Sequence, residues 1–283
     1  WGLADIDANR RADTLTTYPL ASMSKHITAA LVLKQVDRGV IALDDSIGRH
    51  LPGLKPEWND RTIAQLLNHT SGLPREVRTP QGIDQPTTTA ALLAQAAQST
   101  AATGPAGARF GYSNTGYILL GALVERLYGK PYGDVLRDEI ARPLGLASLR
   151  WCGDAETVHR AKGYVRAQDG KLSPAPILHP TQNLGHGVCS NAADIARWNR
   201  ALHGGRVLSP AMYAAMTTPR GAAAVNVVPY GFGLYVRSSK DGRRVLLSDG
   251  LTAGFAVENA WYRDDALSIT VIINTLGGMN ADT

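Results

Sequence analysis

The segment Met23–Val36 is apolar on almost every side when it is drawn as a helix. Such a pattern predicts a buried helix rather than one that lies on the surface. A short run with strand character, Leu15–Leu20, leads into this segment, and Gly39 supplies a stop signal after it. The other elements must therefore pack around this helix, which constrains the fold more than any other stretch of the sequence.

Ser22 and Lys25 stand at the start of the predicted helix, three residues apart and on one face. Ser22 then lies at the positive end of the helix dipole, where a developing negative charge is favoured. A lysine inside an apolar helix is costly to bury in its charged form, so its pKa should fall, which makes it a candidate base for the serine hydroxyl. The alternative is that Ser22 caps the helix and Lys25 reaches solvent, because Ser-x-x-Lys is a common spacing.

The composition is that of an ordinary globular protein: 283 residues, 44% hydrophobic and 19% charged, which predicts one or two domains. The net charge is +5, but the longest runs of Lys and Arg are pairs such as Arg10-Arg11, so we expect no nucleic-acid partner. No apolar run reaches the length of a membrane span, and the histidines have no metal-binding spacing. The sequence opens on Trp1 without a signal peptide, so we expect a mature or trimmed product.

Strand patterns occupy both ends of the sequence, and helical patterns occupy the middle. The predicted strands are Trp1–Ile6, Leu15–Leu20, Gly231–Val236, Arg243–Leu247, Phe255–Tyr262 and Leu267–Asn274. The predicted helices after the first are Thr62–Leu67, Thr88–Gln98, Asn114–Tyr128, Tyr132–Ala141, Asn191–Leu202 and one that begins at Pro210.

This order predicts an α/β (α+β) fold, with an antiparallel sheet built from both termini, flanking helices, and an inserted lobe that is mainly helical. The predicted boundaries place residues 1–58 and 226–283 in the sheet lobe and residues 59–225 in the helical lobe. We expect the active site in the cleft between the two lobes, where sites commonly lie.

Two further stretches carry residues suited to a site. Tyr112 and Asn114 stand just before a predicted helix, and the alternative is that Asn114 only caps this helix while Tyr112 packs. The stretch Ser248–Phe255 is rich in glycine and lies on or next to a strand. Its glycines would let a substrate approach the backbone closely, and the alternative is a β-bulge.

The three stretches, in this order, resemble the three sequence boxes of the penicillin-recognising serine hydrolases. The boxes are Ser22–Lys25, Tyr112–Asn114 and the glycine-rich strand near the end of the chain. The Tyr-x-Asn second box resembles the second box of one branch of this group, which contains class C β-lactamases, DD-peptidases and β-lactamase-like esterases. The segment Leu66–Pro74 is also similar to a segment of that branch, and the resemblance covers nearly the whole chain.

The resemblance implies a β-lactamase/transpeptidase-like fold and specific roles. Ser22 would be the acylated nucleophile, and Lys25 and Tyr112 would share the general-base work, with Tyr112 either ionised or relaying a proton through Lys25. Asn114 would bond to Lys25 or to the acyl amide of the substrate. The backbone N–H groups of Ser22 and Leu251 would form the oxyanion hole. The reaction is acyl transfer followed by hydrolysis of a small ester, amide or β-lactam, without metal or cofactor.

The third box departs from the family pattern. The family begins this box with Lys or His, whereas this chain has Ser248, followed by Asp249 and Gly250. A cation is thus replaced by a hydroxyl next to an acid, so we expect short-chain neutral esters to be better substrates than β-lactams and D-Ala-D-Ala peptides, which carry a carboxylate. The family also usually has an apolar strand before the segment that begins here at Trp1, so the sheet either lacks an edge or receives it from elsewhere.

Cys152 and Cys189 are the two cysteines of the chain. Some members of the family carry cysteines at similar places, so the resemblance implies a disulfide. A disulfide would in turn imply an oxidising compartment, either periplasmic or secreted. The alternative is two independent buried thiols.

Three functions compete at this stage. The first is a serine hydrolase of esterase, D-Ala peptidase or β-lactamase type. The second, favoured by Ser248, is a catalytically silent relative that binds a peptidoglycan or acyl ligand without turnover. The third, an α/β-hydrolase, is excluded because Gly111–Gly116 has one residue too many for Gly-x-Ser-x-Gly.

Overall fold

The structure is a computed structural model, and it describes residues 2–77, 85–101, 103–153, 159–176, 179, 184–185 and 187–277. Within these residues the helices are α1 (Lys25–Asp37), α2 (Ile47–His50), α3 (Pro56–Asn59), α4 (Ile63–Leu67), α5 (Thr89–Gln98), α6 (Asn114–Tyr128), α7 (Tyr132–Leu136), α8 (Arg142–Leu144), α9 (Ala192–His203) and α10 (Pro210–Thr217). The strands are β1 (Leu3–Asp5), β2 (Arg10–Arg11), β3 (Tyr18–Pro19), β4 (Arg150–Trp151), β5 (Tyr164–Arg166), β6 (Leu172–Pro174), β7 (Val188–Ser190), β8 (Tyr235–Ser238), β9 (Arg244–Thr252), β10 (Phe255–Tyr262), β11 (Leu267–Ile273) and β12 (Thr275–Leu276).

Helix α1 is buried along nearly its whole length, as its apolar sequence predicts. It packs against α6 and α10, and its Ile27, Leu31 and Leu33 side chains have no exposed surface. Burying a side chain of this kind stabilises the fold by roughly 1.5–3 kcal/mol, so α1 anchors the hydrophobic core. Among the described residues, no helix is both long enough and apolar enough to cross a membrane.

The largest sheet has the strand order β11-β10-β9-β8, with antiparallel neighbours. Strand β9 is longer than predicted and runs through the glycine-rich stretch to Thr252. Its pairing with β8 ends at Tyr235 opposite Leu247, so residues 248–252 have β10 on one side only. On one face of β9, Gly250 lies against the Leu20 carbonyl group and the Ala21 side chain, the two residues that directly precede Ser22.

The mixed class of helices and antiparallel sheets is confirmed, but the N-terminal strands do not join the largest sheet. Strands β1 and β2 form a separate two-stranded sheet, and β3 pairs with β7. Hydrogen bonds to Leu3 and Ala4 explain this, because their carbonyl groups accept from Asn274 and from the Lys162 backbone. The domain boundaries at 58/59 and 225/226 stay a prediction.

The predicted disulfide between Cys152 and Cys189 is present. Cys189 lies on β7, and Cys152 directly follows β4, which pairs with β7 through Trp151 and Val188. The crosslink therefore ties two neighbouring strands and closes a loop of the chain between them.

Candidate active site

Ser22 lies in a 3-10 turn, Ala21–Ser24, that leads directly into α1. Ala21 has a positive φ of 48°, a left-handed conformation that costs an L-residue about 1–2 kcal/mol. The Lys25 ammonium group donates a hydrogen bond to the Ser22 hydroxyl over 2.9 Å. The two side chains that share a face of the predicted helix are thus in direct contact.

The Lys25 side chain is completely buried. This burial lowers its pKa from the usual 10.5 to about 7, although the negative charges of Glu76 and Asp249 act in the opposite direction. A substantial fraction of Lys25 is therefore neutral near neutral pH and can accept a proton from Ser22.

Tyr112 completes the group around Ser22. The Lys25 nitrogen lies 4.9 Å from the centre of the Tyr112 ring. Burial raises the pKa of Tyr112 well above 10, and a polar interaction with the Ser22 hydroxyl offsets this only in part. The phenol is therefore protonated at neutral pH, which favours the proton relay over an ionised tyrosine.

His69 is a site residue to which the sequence analysis assigned no role, and its only signal was the similarity of the segment Leu66–Pro74. Its ring lies 4.2 Å from that of Tyr112. Its carbonyl accepts from the Gly111 N–H over 2.8 Å, and its Nδ1 accepts from the Ser113 N–H over 3.1 Å. His69 therefore holds the chain on both sides of Tyr112.

The protonation state of His69 follows from its surroundings. The ring is completely buried, and among the described residues its Nε2 has no hydrogen-bond partner. Burial, reinforced by the positive charges of Lys25 and Arg75, holds its pKa well below 6.5. The ring is therefore neutral at neutral pH, and because Nδ1 accepts, the proton is assigned to Nε2.

Asn114 lies beside this group, but it does not make the hydrogen bond to Lys25 that the resemblance implies. Its side-chain amide donates to the Glu76 carboxylate, and its Oδ1 is buried with no partner among the described residues. The cap of α6 is Ser113 rather than Asn114, since the Ser113 hydroxyl accepts from the Gly116 N–H over 3.0 Å. Asn114 thus keeps a buried acceptor that no described residue satisfies.

Gly250 allows β9 to pack closely against the residues that precede Ser22. A Cβ atom at this position would collide with the carbonyl oxygen of Leu20 and touch Ala21. The glycine therefore lets β9 approach the backbone that precedes Ser22, whereas the sequence analysis interpreted it as room for a substrate. The neighbouring residue, Leu251, has an exposed side chain and lies on the stretch of β9 beside the Ser22 turn.

Ser248 is only 5% exposed and lies among polar side chains. Its hydroxyl accepts a hydrogen bond from the Asn259 amide over 3.2 Å, and Asn259 in turn accepts one from Asn199 of α9 over 2.7 Å. Asp249 points to the opposite face of the sheet, is exposed, and raises the pKa of Lys25. Ser248 is thus joined to β10, and through Asn259 to α9.

Neither Arg243, which directly precedes β9, nor Arg244 of β9 replaces the cation that the family carries in its third box. Arg243 forms ion pairs with Asp241 and Asp265 at 2.8 and 2.7 Å. Arg244 donates to the carbonyl of Thr217. Both guanidinium groups are therefore engaged elsewhere. In the part of the chain that the structure describes, no group of three or more His, Cys, Asp or Glu side chains is placed to hold a metal ion.

A sequence profile of the beta-lactamase family matches residues 1–283, which is the whole chain. The chain belongs to the beta-lactamase family. This membership explains why the boxes around Ser22, Tyr112 and Gly250 occur in their observed order.

Individual relatives are distant but match along the whole chain. Penicillin-binding protein 4* of Bacillus subtilis is 25% identical over 299 residues, which cover 97% of this chain and 64% of that protein. A D-aminopeptidase of Brucella anthropi is 25% identical over 287 residues, which cover 98% of this chain and 53% of that protein. The chain thus spans about half to two thirds of the length of these relatives.

Solved structures share the same fold. The octameric penicillin-binding protein homologue from Pyrococcus abyssi superposes with a TM-score of 0.85 at 25% identity, covering 96% of this chain and 65% of that one. The D-amino acid amidase from Ochrobactrum anthropi in complex with D-phenylalanine superposes with a TM-score of 0.83 at 26% identity, covering 99% of this chain and 83% of that one.

Proposed function

We propose that this chain is a serine hydrolase that forms an acyl-enzyme on Ser22 and hydrolyses small amides or esters. The observation that carries this proposal is the 2.9 Å contact between the Ser22 hydroxyl and the buried Lys25 amine, whose pKa is about 7. Similarity to a D-aminopeptidase and to a D-amino acid amidase supports amides as one substrate class.

In the proposed acylation step, the Ser22 oxygen attacks the substrate carbonyl carbon while neutral Lys25 accepts the hydroxyl proton. The negative charge on the carbonyl oxygen is stabilised by the backbone N–H groups of Ser22 and Leu251. Tyr112, which is protonated, donates its proton to the departing amine or alkoxide and regains one from Lys25.

Deacylation repeats the sequence with water as the nucleophile. Lys25, again neutral, accepts a proton from the attacking water through Tyr112. It returns this proton to the Ser22 oxygen as the bond between that oxygen and the acyl carbon breaks, which releases the carboxylic acid. In this proposal the Asn114 Oδ1, which no described residue satisfies, accepts a hydrogen bond from an N–H group of the bound substrate. Each proton removed from a nucleophile thus returns to a leaving group, so the step balances without a cofactor.

The substrate preference follows from the third box. Because Ser248 is neutral and bonded to Asn259, it offers no positive charge to a carboxylate on the leaving group. We therefore propose that the enzyme hydrolyses substrates with neutral leaving groups faster than it hydrolyses cephalosporins and D-Ala-D-Ala peptides. The Cys152–Cys189 disulfide supports an oxidising compartment, and we propose a periplasmic or secreted location.

The test is intact mass spectrometry after treatment with a fluorophosphonate, combined with assays of nitrophenyl butyrate and an amino acid amide. We expect one label on the wild type, one label on the control Ser173→Ala, which changes an exposed serine, and none on Ser22→Ala. Labelling that persists in Ser22→Ala would overturn the assignment of the nucleophile. Labelling of Ser22 without turnover of any ester or amide would instead favour the silent relative.

A further inference from the structure

A cavity of about 430 Å³ lies beside the turn that carries Ser22. Ala21, Val188, Thr252 and Phe255 contribute to its largely apolar wall. Its volume falls within the roughly 300–1,000 Å³ of small-molecule sites. The cavity is therefore large enough to receive part of a substrate that is bound at Ser22.

The position of the cavity indicates which part of the substrate enters it. Among the described residues, its lining includes neither Lys25 nor Tyr112. In the proposed reaction the leaving group must lie within reach of Tyr112, from which it takes its proton. The cavity lies along Ala21 and Thr252 instead, so it is suited to the acyl portion.

Three charged side chains line this cavity: Asp7, Arg160 and Lys162. Lys162 is already neutralised, because its ammonium group pairs with Asp5 at 3.1 Å and with Asp7 at 3.2 Å. Among the described residues that line the cavity, Arg160 is therefore the cation that no carboxylate pairs with.

In the part of the chain that the structure describes, the partner of the Arg160 guanidinium group is neutral. This group donates to the Cys152 carbonyl over 3.1 Å, and no carboxylate of the described residues pairs with it. The side chain is half-buried, and this burial lowers the pKa of Arg160, although a guanidinium group keeps its charge at neutral pH. A partly desolvated charge that no described carboxylate pairs with is unfavourable, and a carboxylate in the cavity would offset that cost.

The backbone fixes this guanidinium in place. Cys152, which accepts its hydrogen bond, is held by the disulfide to Cys189. The Arg160 carbonyl accepts from the Arg10 side chain over 2.6 Å. These two contacts hold the Arg160 backbone and one guanidinium nitrogen at the cavity wall.

We infer that this cavity is the acyl subsite and that Arg160 binds a carboxylate carried by the acyl chain. The preferred acyl donors are then monoesters or monoamides of dicarboxylic acids, with the reacting carbonyl at Ser22, an apolar spacer along the cavity wall and the free carboxylate at Arg160. This inference rests on the proposed function. It addresses the specificity for the acyl chain of the substrate, whereas the proposal on Ser248 addresses the specificity for the leaving group.

The experiment compares nitrophenyl monoesters from succinate to suberate with matched esters whose free carboxylate is replaced by a carboxamide. Rates are corrected for spontaneous hydrolysis, because a carboxylate can attack its own ester. We expect the wild type to prefer at least one carboxylate ester over its carboxamide partner by about 10- to 100-fold in kcat/KM, the range typical of a hydrogen bond to a charged group.

Variants assign this preference to Arg160. Arg160→Met keeps the length of the side chain without its charge and should abolish the preference, whereas Arg160→Lys should retain part of it. The matched control is Arg166→Met, since Arg166 is exposed and its guanidinium donates to the Gly170 carbonyl outside the cavity. A second measurement uses only the wild type, so it does not depend on whether the Arg160 variants fold. The matching dicarboxylate should inhibit hydrolysis of a neutral ester by the wild type, and the matching diamide should not.

Absence of any carboxylate preference in the wild type, or a preference that survives in Arg160→Met, would overturn the inference. If the carboxamide esters are hydrolysed through Ser22 without such a preference, only the subsite fails and the proposed function stands. If no ester is hydrolysed and Ser22 is not labelled, the proposed function fails, and the inference fails with it.

Discussion

The His69 ring lies against the Tyr112 ring, with centroids 4.2 Å apart, and its Nδ1 accepts the backbone N–H of the next residue, Ser113, over 3.1 Å. A buried histidine thus sets both the ring position and the backbone position of the residue that acts on Ser22 in the proposed reaction. His69 has a positive φ of 60°, a conformation that few side chains other than those of Asn, Asp and His tolerate.

The first prediction concerns the two contacts of His69. His69→Phe keeps a ring beside Tyr112 but leaves the Ser113 N–H buried without an acceptor, and His69→Asn keeps an acceptor without the ring. We expect kcat to fall by roughly 10- to 100-fold in His69→Phe, with little change in KM, and to fall less in His69→Asn, because a lost partner for a buried N–H costs about 1–3 kcal/mol.

Steady-state kinetics of both variants, together with their melting temperatures, checks this prediction. Wild-type kcat in His69→Phe would contradict it. A fall in kcat that is equal in the two variants would show that the Ser113 hydrogen bond is not the decisive contact.

The second prediction is a pH dependence of activity. Burial lowers the pKa of Lys25 to about 7, so kcat/KM should rise with pH around this value as Lys25 loses its proton, and then level off. Asp249→Asn removes a negative charge that raises this pKa, so the midpoint should move to lower pH. The shift should be small, because Asp249 is exposed and solvent and salt screen its charge.

The control for this shift is Asp264→Asn, in the exposed hairpin between β10 and β11. The measurement is kcat/KM for a neutral ester between pH 5 and 9, roughly two units on either side of the expected midpoint. A profile that is flat around pH 7, or a midpoint that moves equally in the control, would contradict the role of Lys25 as the base.

The third prediction concerns stability and Lys25→Met. The folded protein holds the pKa of Lys25 at about 7, whereas the unfolded chain has a value of about 10.4, so between these pH values the unfolded state binds more protons. The contribution of Lys25 therefore makes the free energy of unfolding increase as the pH rises from about 7 to about 10, and its penalty is fully present below pH 7.

Lys25→Met should remove this contribution, so the variant gains stability relative to the wild type at pH 6 and less so at pH 9.5, while it loses nearly all activity. Urea unfolding of both proteins at the two pH values gives the difference, in which the titration of other groups cancels. A difference that is the same at both pH values would show that Lys25 is not buried in the way described.

The fourth prediction concerns the disulfide. The Cys152–Cys189 link closes a loop with a sequence separation of 37 residues. Loop-closure entropy predicts that its removal lowers the free energy of unfolding by about 4 kcal/mol. A reducing agent should therefore destabilise the wild type in urea and leave the double variant Cys152→Ala/Cys189→Ala unchanged. Equal stability of the wild type with and without the reducing agent would contradict this.

The fifth prediction concerns Ser248. Ser248→Ala removes one acceptor for Asn259 and should lower stability by about 1 kcal/mol, with little effect on ester hydrolysis. Ser248→His adds a side chain that can carry a charge, and it should narrow the gap between nitrophenyl butyrate and a chromogenic cephalosporin by raising activity toward the cephalosporin. Efficient cephalosporin hydrolysis by the wild type, unmatched by the ester, would contradict the proposed preference.

The parts of the site that local geometry controls could be predicted from the sequence. Ser22 and Lys25 meet because residues three apart share one face of a helix, and α1 is buried because its side chains are apolar all round. The hairpins between β8 and β11 follow the turn residues that separate them. These features depend on residues that are close together in the chain, so the periodicity and spacing of the sequence are enough to predict them.

Tertiary packing decided the rest, because the contacts join residues that are far apart in the sequence. The contact of His69 with Ser113 spans 44 positions, and no period relates the two. Gly250 is required by the backbone of Leu20, which only the folded chain brings beside β9. Arg160 is left without a carboxylate partner among the described residues by the way the cavity wall is assembled. Composition and spacing do not record such long-range distances, so only the assembled structure determines them.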